Sequence, residues 1–364
     1  MDLRIAVIPG DGIGPEVMEA ALAVLAAAER RVGGFRLVYE RLEGGAARYR
    51  ETGVAFTDEE FRRSEAADAI LFGAMGLPDV RYADGTEIAP HLDMRVSFGL
   101  YASLRPVRAF PNAPGPLRAP RAATLDLVIV RECTEGLFAS RGRGVVEDDE
   151  IARDFLVITR ATCERLFETA FRLAERRRAA RGTPGRVTCV DKANVFVSMA
   201  FFRKVFDEAA RRHPDIAAAH HYVDAAALDL VRRPWDFDVL VMENMFGDIL
   251  SDLGAALVGG MGMAPSAEIG DAHGLFQPAH GSAPDIAGRG IANPTAMILS
   301  AAMMLDWLGE RAGEPRLAEA AGLIEAAMER GFASGRVRPR EFGGPHGTAG
   351  IGRAVAELVA GEAG

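Results

Sequence analysis

The sequence predicts an α/β fold in which a largely parallel sheet is covered by helices. Two observations carry that reading: short apolar, β-branched runs alternate with longer stretches of helical periodicity, and the first such run is followed at once by a helix opening at Pro15. At 364 residues the chain also exceeds what one hydrophobic core usually supports, so two domains are expected.

Taken in order, residues 4–8 read as the first strand and 15–31 as the first helix. Pro15 occupies a first-turn position where a missing N–H costs nothing, and Glu16 complements the positive end of the helix dipole. Strands are expected over 69–72, 125–130, 186–190 and 237–242. Helices are expected over 153–180, 199–212, 249–258 and 295–308, with a short last one beyond Thr348; the alanine-rich ones rest on alanine's high propensity. Breakers cluster at residues 111–120, 259–265 and 343–348, and the first two clusters are candidate lobe crossings.

Composition removes several classes of function. A net charge of −9 argues against nucleic acid, which needs concentrated Lys and Arg on one face. No run approaches the roughly 20 apolar residues of a bilayer span, and the N-terminus carries no leader-like apolar stretch, so a cytoplasmic location is expected. Cys133, Cys163 and Cys189 have neither disulfide nor zinc spacing and are expected to be reduced, buried thiols.

The chemistry begins at Asp248-Ile-Leu-Ser-Asp252. Carboxylates at i and i+4 share a helix face and repel unless something positive lies between them. A divalent cation suits that place better than bulk solvent, because Ile249, Leu250, Leu253 and Leu257 leave little polar stripe; Gly247 precedes the pair where the chain is expected to turn. In open α/β sheets ligands gather beyond the carboxyl ends of strands. Three expected strands end in reactive residues: Arg131-Glu132; Asp191-Lys192-Ala-Asn194; and Glu243-Asn244 leading to the aspartate pair. Arg95 and Arg105 lie upstream. Arginine's planar fork grips carboxylates, so several together suggest a di- or tricarboxylate substrate.

Two glycine-rich segments invite a nucleotide. Gly10-Asp-Gly-Ile-Gly14-Pro fails the dinucleotide fingerprint. In His280-Gly-Ser-Ala-Pro-Asp285, small residues permit close backbone approach, and Asp285 is placed to accept from a ribose 2′-hydroxyl while repelling a 2′-phosphate.

With these residues in view, the chain resembles the metal-dependent decarboxylating dehydrogenases of 2-hydroxy acids, the isocitrate and isopropylmalate dehydrogenase family. The motifs are Pro9-Gly-Asp-Gly-Ile-Gly-Pro-Glu16, Leu104-Arg-Pro106, Val130-Arg-Glu132, Val190-Asp-Lys-Ala-Asn194, Tyr222-Val-Asp224, Phe246-Gly-Asp-Ile-Leu-Ser-Asp252 and His280-Gly-Ser-Ala-Pro-Asp285, spread over almost the whole chain. The resemblance implies the isopropylmalate dehydrogenase-like fold, which is not a Rossmann fold in the strict sense. It implies a large cofactor domain over residues 1–105 and 258–364, and a small domain over 106–257 carrying metal ligands and a dimer interface. It further implies Arg95, Arg105 and Arg131 as a clamp for substrate carboxylates, with His91 and Leu92 beside them. Asp224, Asp248 and Asp252 would be Mg²⁺ or Mn²⁺ ligands, an all-oxygen set unsuited to zinc. Lys192 would be the catalytic lysine, with Asp224 beside it. NAD would contact Ile13, Asn194, His280, Gly281, Ser282, Ala283, Asp285, Ile286 and Asn293. In relatives the lysine and one aspartate enter from the neighbouring subunit, so a homodimer with shared sites is implied, acting on a small anionic 2-hydroxy diacid without nucleic acid or membrane.

Three positions depart from the family pattern. Phe138 stands where relatives carry a tyrosine that protonates the enolate. His91 stands where isopropylmalate dehydrogenases offer a leucine to the substrate. Gln277 replaces a glutamate near the nicotinamide, where an amide still hydrogen-bonds. His91 is a candidate proton donor or a substrate contact, and its polarity favours a malate-type acid such as tartrate or D-malate, with isopropylmalate and isocitrate (or homoisocitrate) remaining open. Phe138 also leaves open a catalytically impaired, regulatory paralogue.

Overall fold

The computed structural model describes residues 1–361. In chain order its elements are β1 (Asp2–Gly10), α1 (Gly14–Val32), β2 (Arg36–Arg41), α2 (Ala46–Thr52), α3 (Asp58–Glu65), β3 (Ala69–Ala74), α4 (Pro90–Ser97), β4 (Ala102–Arg108), β5 (Asp126–Glu132), β6 (Val145–Glu147) and β7 (Ile151–Arg153). There follow α5 (Arg160–Arg181), β8 (Arg186–Asp191), α6 (Val197–Ala210), β9 (Ala217–Tyr222), α7 (Val223–Arg232), β10 (Val239–Met242), α8 (Asn244–Leu257), β11 (Pro265–Ile269), β12 (Gly274–Pro278), α9 (Thr295–Ala312), α10 (Pro315–Ser334) and α11 (Thr348–Ala360). No helix among the described residues is long and apolar enough to cross a membrane.

Two compact units divide the chain. One comprises Met1–Phe98, Phe110–Pro114 and the stretch from Val258; the other comprises Gly99–Ala109 and Gly115–Leu257. The first crossing falls at Phe98/Gly99, ahead of Arg105, because β4 pairs with β5 along its whole length, from Ala102 opposite Glu132 to Arg108 opposite Asp126. Residues 362–364 of the expected C-terminal stretch lie outside the described residues.

In the first unit the strands run β2-β1-β3-β12-β11, all parallel to their neighbours except β11. Ile5, Ala6, Val7 and Ile8 of β1 are fully buried, as a continuous apolar run in a covered parallel strand should be. Helix α9 is buried along most of its length, from Thr295 to Leu308, and packs against β11, β12, α1 and α10.

In the second unit the order is β4-β5-β10-β8-β9, parallel throughout save for β4. Helix α5 begins at Arg160 rather than at 153. Residues 151–153 pair instead with β6 in a hairpin, and the Thr159 side chain caps the helix by accepting from the Thr162 N–H. Helix α8 begins at Asn244, five residues earlier than its apolar periodicity suggests.

Candidate active site

Parallel register levels the strand ends of the second unit. Arg131 lies opposite Met242, Met242 opposite Val190, and Asp191 opposite Tyr222. Arg131, Glu243, Lys192 and Asp224 therefore leave the sheet at one edge, the carboxyl edge where ligands collect.

Arg131 is the best-held of them. It is 2% exposed, and both Nε and Nη2 donate to Asn244 Oδ1, at 3.0 and 2.7 Å. Nη1 donates to Asp248 Oδ1, and the guanidinium lies 5.3 Å from the centre of the Phe138 ring. Asn244 is itself anchored by its Nδ2 donating to the Glu135 carbonyl at 3.0 Å. Sequence reasoning gave Arg131 a role and named Asn244 only as a residue at a strand end, without its part in holding Arg131.

Gly247 is not a turn. It lies within α8, and a Cβ there would come 2.5 Å from both Cβ and Cγ of Arg131. The glycine lets the helix backbone pass against the arginine stem. Gly247→Ala is expected to displace Arg131 and lower kcat/KM by about 10²-fold, the scale of a misplacement near 1 Å. Steady-state kinetics and a melting curve check this; an unchanged kcat/KM in folded protein contradicts it.

The acidic pair behaves as the spacing demands. Burial, followed by the charge of Asp248, pushes the Asp252 carboxyl above its usual range, while Arg105 and Arg131 act in the opposite sense. The positive group found on Asp248 is a guanidinium. Arg105 is buried, with Nε donating to Ser103 Oγ at 2.9 Å. Next to Arg131, burial raises Glu132 to about 6, against hydrogen bonds from Thr134 and Glu135.

Lys192 Nζ donates to Asp224 Oδ1 at 2.5 Å, and that bond is the main reason the Asp224 carboxyl is held below its usual range. The loop bearing Lys192 is fixed from beneath. Fully buried Asp191 takes a two-point grip from Arg203, both bonds 2.7 Å, and accepts the Ala193 N–H. Asn194 is exposed. Among the described residues no three acidic, histidine or cysteine side chains converge on a metal-sized point. Asp248 and Asp252 come together; Asp224 stays with Lys192.

In the first unit the two glycine-rich segments meet. The Ile13 N–H donates to the Ser282 carbonyl at 2.8 Å, Ser282 Oγ donates to the Gly76 carbonyl at 2.5 Å, and buried Asp11 accepts from the N–H groups of Ala46, Ala47 and Gly76. The loops after β1, β3 and β12 thus form one cluster at their strands' carboxyl ends. His280 Nδ1 contacts the Gly281 carbonyl at 2.9 Å, its Nε2 is buried without a hydrogen-bond partner, and burial lowers its pKa. Gly281 and Asp285 are exposed, Ile286 is half-buried, and Ala283 has a left-handed φ of 38°. Asn293 is engaged at both ends: Oδ1 accepts from Thr295 N and Oγ1 at the start of α9, and Nδ2 donates to Glu341 at 2.9 Å.

On α4, the His91 ring lies 5.4 Å from that of Phe72, and Leu92 is half-buried. Buried Arg95 grips fully buried Glu268 at two points, one of them Nε to Oε2 at 2.9 Å, and Gln277 Nε2 donates to Glu268 Oε1 at 2.8 Å. A carboxylate faces Gln277 across the β11–β12 pair, which gives its amide a partner.

Known proteins resemble the chain over nearly its whole length. The family model for isocitrate/isopropylmalate dehydrogenase matches residues 4–355. The chain is 43% identical to the 3-isopropylmalate dehydrogenase of Moorella thermoacetica, with 92% of each chain covered, and 43% identical to the 3-isopropylmalate/3-methylmalate dehydrogenase of Methanocaldococcus jannaschii, with 98% of each covered. Among solved structures it is similar to isocitrate dehydrogenase from Methylococcus capsulatus, with a TM-score of 0.84, 36% identity, and 98% of this chain and 99% of that one covered. The chain belongs to the isocitrate/isopropylmalate dehydrogenase family, and is by that membership a dehydrogenase.

Proposed function

We propose that this protein catalyses NAD-dependent oxidative decarboxylation of a malate-type 2-hydroxy diacid, with Mg²⁺ or Mn²⁺ as its metal. The observation that carries the reading is Arg131, a buried guanidinium fixed by Asn244 and directed to the acidic pair on α8. Three of its five N–H groups are engaged there, which leaves two for a carboxylate.

Asp248 and Asp252 are hard oxygen donors that repel one another, which suits a divalent cation. The open His280 nitrogen and the small-residue loop beside Ile13 suit a dinucleotide. When bound, the nicotinamide supplies a hydride acceptor and the cation supplies Lewis acidity at the substrate oxygen. The chain's own residues do the rest. Arg105 and Arg131, with Arg95, bind the substrate carboxylates. Lys192, as the neutral amine, takes the hydroxyl proton at Nζ, with Asp224 orienting it through the contact between them. Phe138 offers a ring face to Arg131 and no proton, so the carbon left by CO₂ must be protonated from another group, for which His91 is the candidate.

A homodimer completes the metal set, with Asp224 and Lys192 of one protomer serving Asp248 and Asp252 of the other. Exposed apolar side chains support a pairing surface on the second unit: Val197 at the start of α6, Leu228 and Val231 on α7, and Ile249 on α8.

Removing metal with a chelator is expected to abolish NADH formation, and Mn²⁺ or Mg²⁺, but not Zn²⁺, should restore it. Turnover with NADP⁺ equal to that with NAD⁺ would contradict the role given to Asp285. Across D-malate, tartrate, 3-isopropylmalate and isocitrate, malate-type acids should lead. Retained ligand binding with no NADH from any of them would instead mark a non-catalytic paralogue.

A further inference from the structure

We infer that Glu268 is a specificity-determining residue that sets the charge Arg95 presents to a bound acid, an inference that rests on the proposed role of Arg95 as a carboxylate ligand.

Arg95 is 6% exposed and Glu268 is fully buried. A buried ion pair of this kind returns little stability, because the cost of removing two charges from water offsets most of their attraction. Apolar residues of similar volume would serve the core as well. The geometry is nevertheless specific: two parallel N–H···O contacts join the guanidinium to the carboxylate, and Gln277 donates to Glu268 Oε1 at 2.8 Å. Gln277 is the next-to-last residue of β12, three positions before His280 and the ligand loop. The network therefore sits at the root of the loop cluster rather than in the middle of the core.

Its electrostatic consequence is simple. Glu268 cancels the charge of Arg95 while fixing the plane of its guanidinium. Arg95 then acts toward a substrate as an oriented hydrogen-bond donor with little net charge. A pocket so balanced favours dianions over trianions, since each added ligand charge gains from uncompensated cation alone. The class selected is a 2-hydroxy dicarboxylate, and a tricarboxylate is disfavoured.

The test compares wild type, Glu268→Gln and the double variant Glu268→Gln/Gln277→Glu, which restores one carboxylate on the neighbouring strand. Dissociation constants for D-malate and isocitrate are measured by calorimetry without NAD⁺, alongside kcat/KM for both. The isocitrate-to-malate preference is expected to rise roughly tenfold in Glu268→Gln, mainly through KM, and to return to the wild-type value in the double variant. An unchanged preference in folded Glu268→Gln, or no return in the double variant, overturns the inference. Should Glu268→Gln fail to fold, the double variant decides: wild-type selectivity supports the inference, and failure to fold overturns it. A wild type that turns over none of the four acids sinks the underlying reading instead.

Discussion

Lys192→Met is expected to lower kcat by about 10²- to 10⁴-fold, the usual worth of a positioned proton-transfer group, while leaving the melting temperature nearly unchanged. The contrast follows from the surroundings. The Lys192 side chain is 25% exposed and that of Asp224 is 68% exposed, so breaking their contact leaves no buried charge behind. The loop stays in place because Asp191 and Arg203 hold it independently of the lysine. Substrate KM should move far less than kcat, since the carboxylates are gripped by arginines elsewhere. A loss confined to KM would assign Lys192 to binding, and a large fall in melting temperature would assign it to structure.

Gly12→Ala is expected to damage the first unit and its cofactor site together. The residue has a φ of 60°, and a Cβ there would come 1.9 Å from the Ser282 carbonyl oxygen. The left-handed conformation alone costs a non-glycine residue about 1–2 kcal/mol. The contact with backbone forces the Gly10–Ser282 loops apart as well and breaks the bond from Ile13 N to Ser282 O. A loss of about 2–4 kcal/mol in stability and at least a tenfold weaker NAD⁺ affinity should follow. Gly53→Ala is the control. Its φ is 76° and nothing lies within 4 Å of the added Cβ, so it carries conformational strain without the clash. Equal effects from the two substitutions would refute the close-approach argument.

Much of the fold was legible because its strongest elements have strong local signals. The buried run of β1, the proline-opened α1 and the three parallel strands β5, β8 and β10 all stand out in sequence. Elements defined by pairing rather than composition did not. Strand β9, Ala-Ala-Ala-His-His-Tyr, has almost no β-branched character and exists because β8 offers it an edge; β4 keeps its register despite Pro106. The hairpin β6–β7 displaced the expected start of α5 for the same reason.

The site shows the same division. Residues at strand ends or on the helix that follows, Arg131, Lys192 and the aspartate pair, could be read from the chain because parallel register brings such ends level. Their supports could not. Asn244, Glu268 and the small size of Gly247 acquire meaning only from what packs against them, and no periodicity announces a hydrogen bond between residues 113 or 173 positions apart. Asp224 was grouped with Asp248 and Asp252 by resemblance alone, with the lysine and one aspartate expected from a neighbouring subunit; within the chain it pairs with Lys192.

The most direct measurement incubates the purified protein with NAD⁺, Mn²⁺ and a malate-type 2-hydroxy diacid, and follows NADH and CO₂ together to completion. The account predicts equal amounts of the two products, both abolished by chelation. NADH without CO₂, or neither product from any acid in the panel, would contradict it.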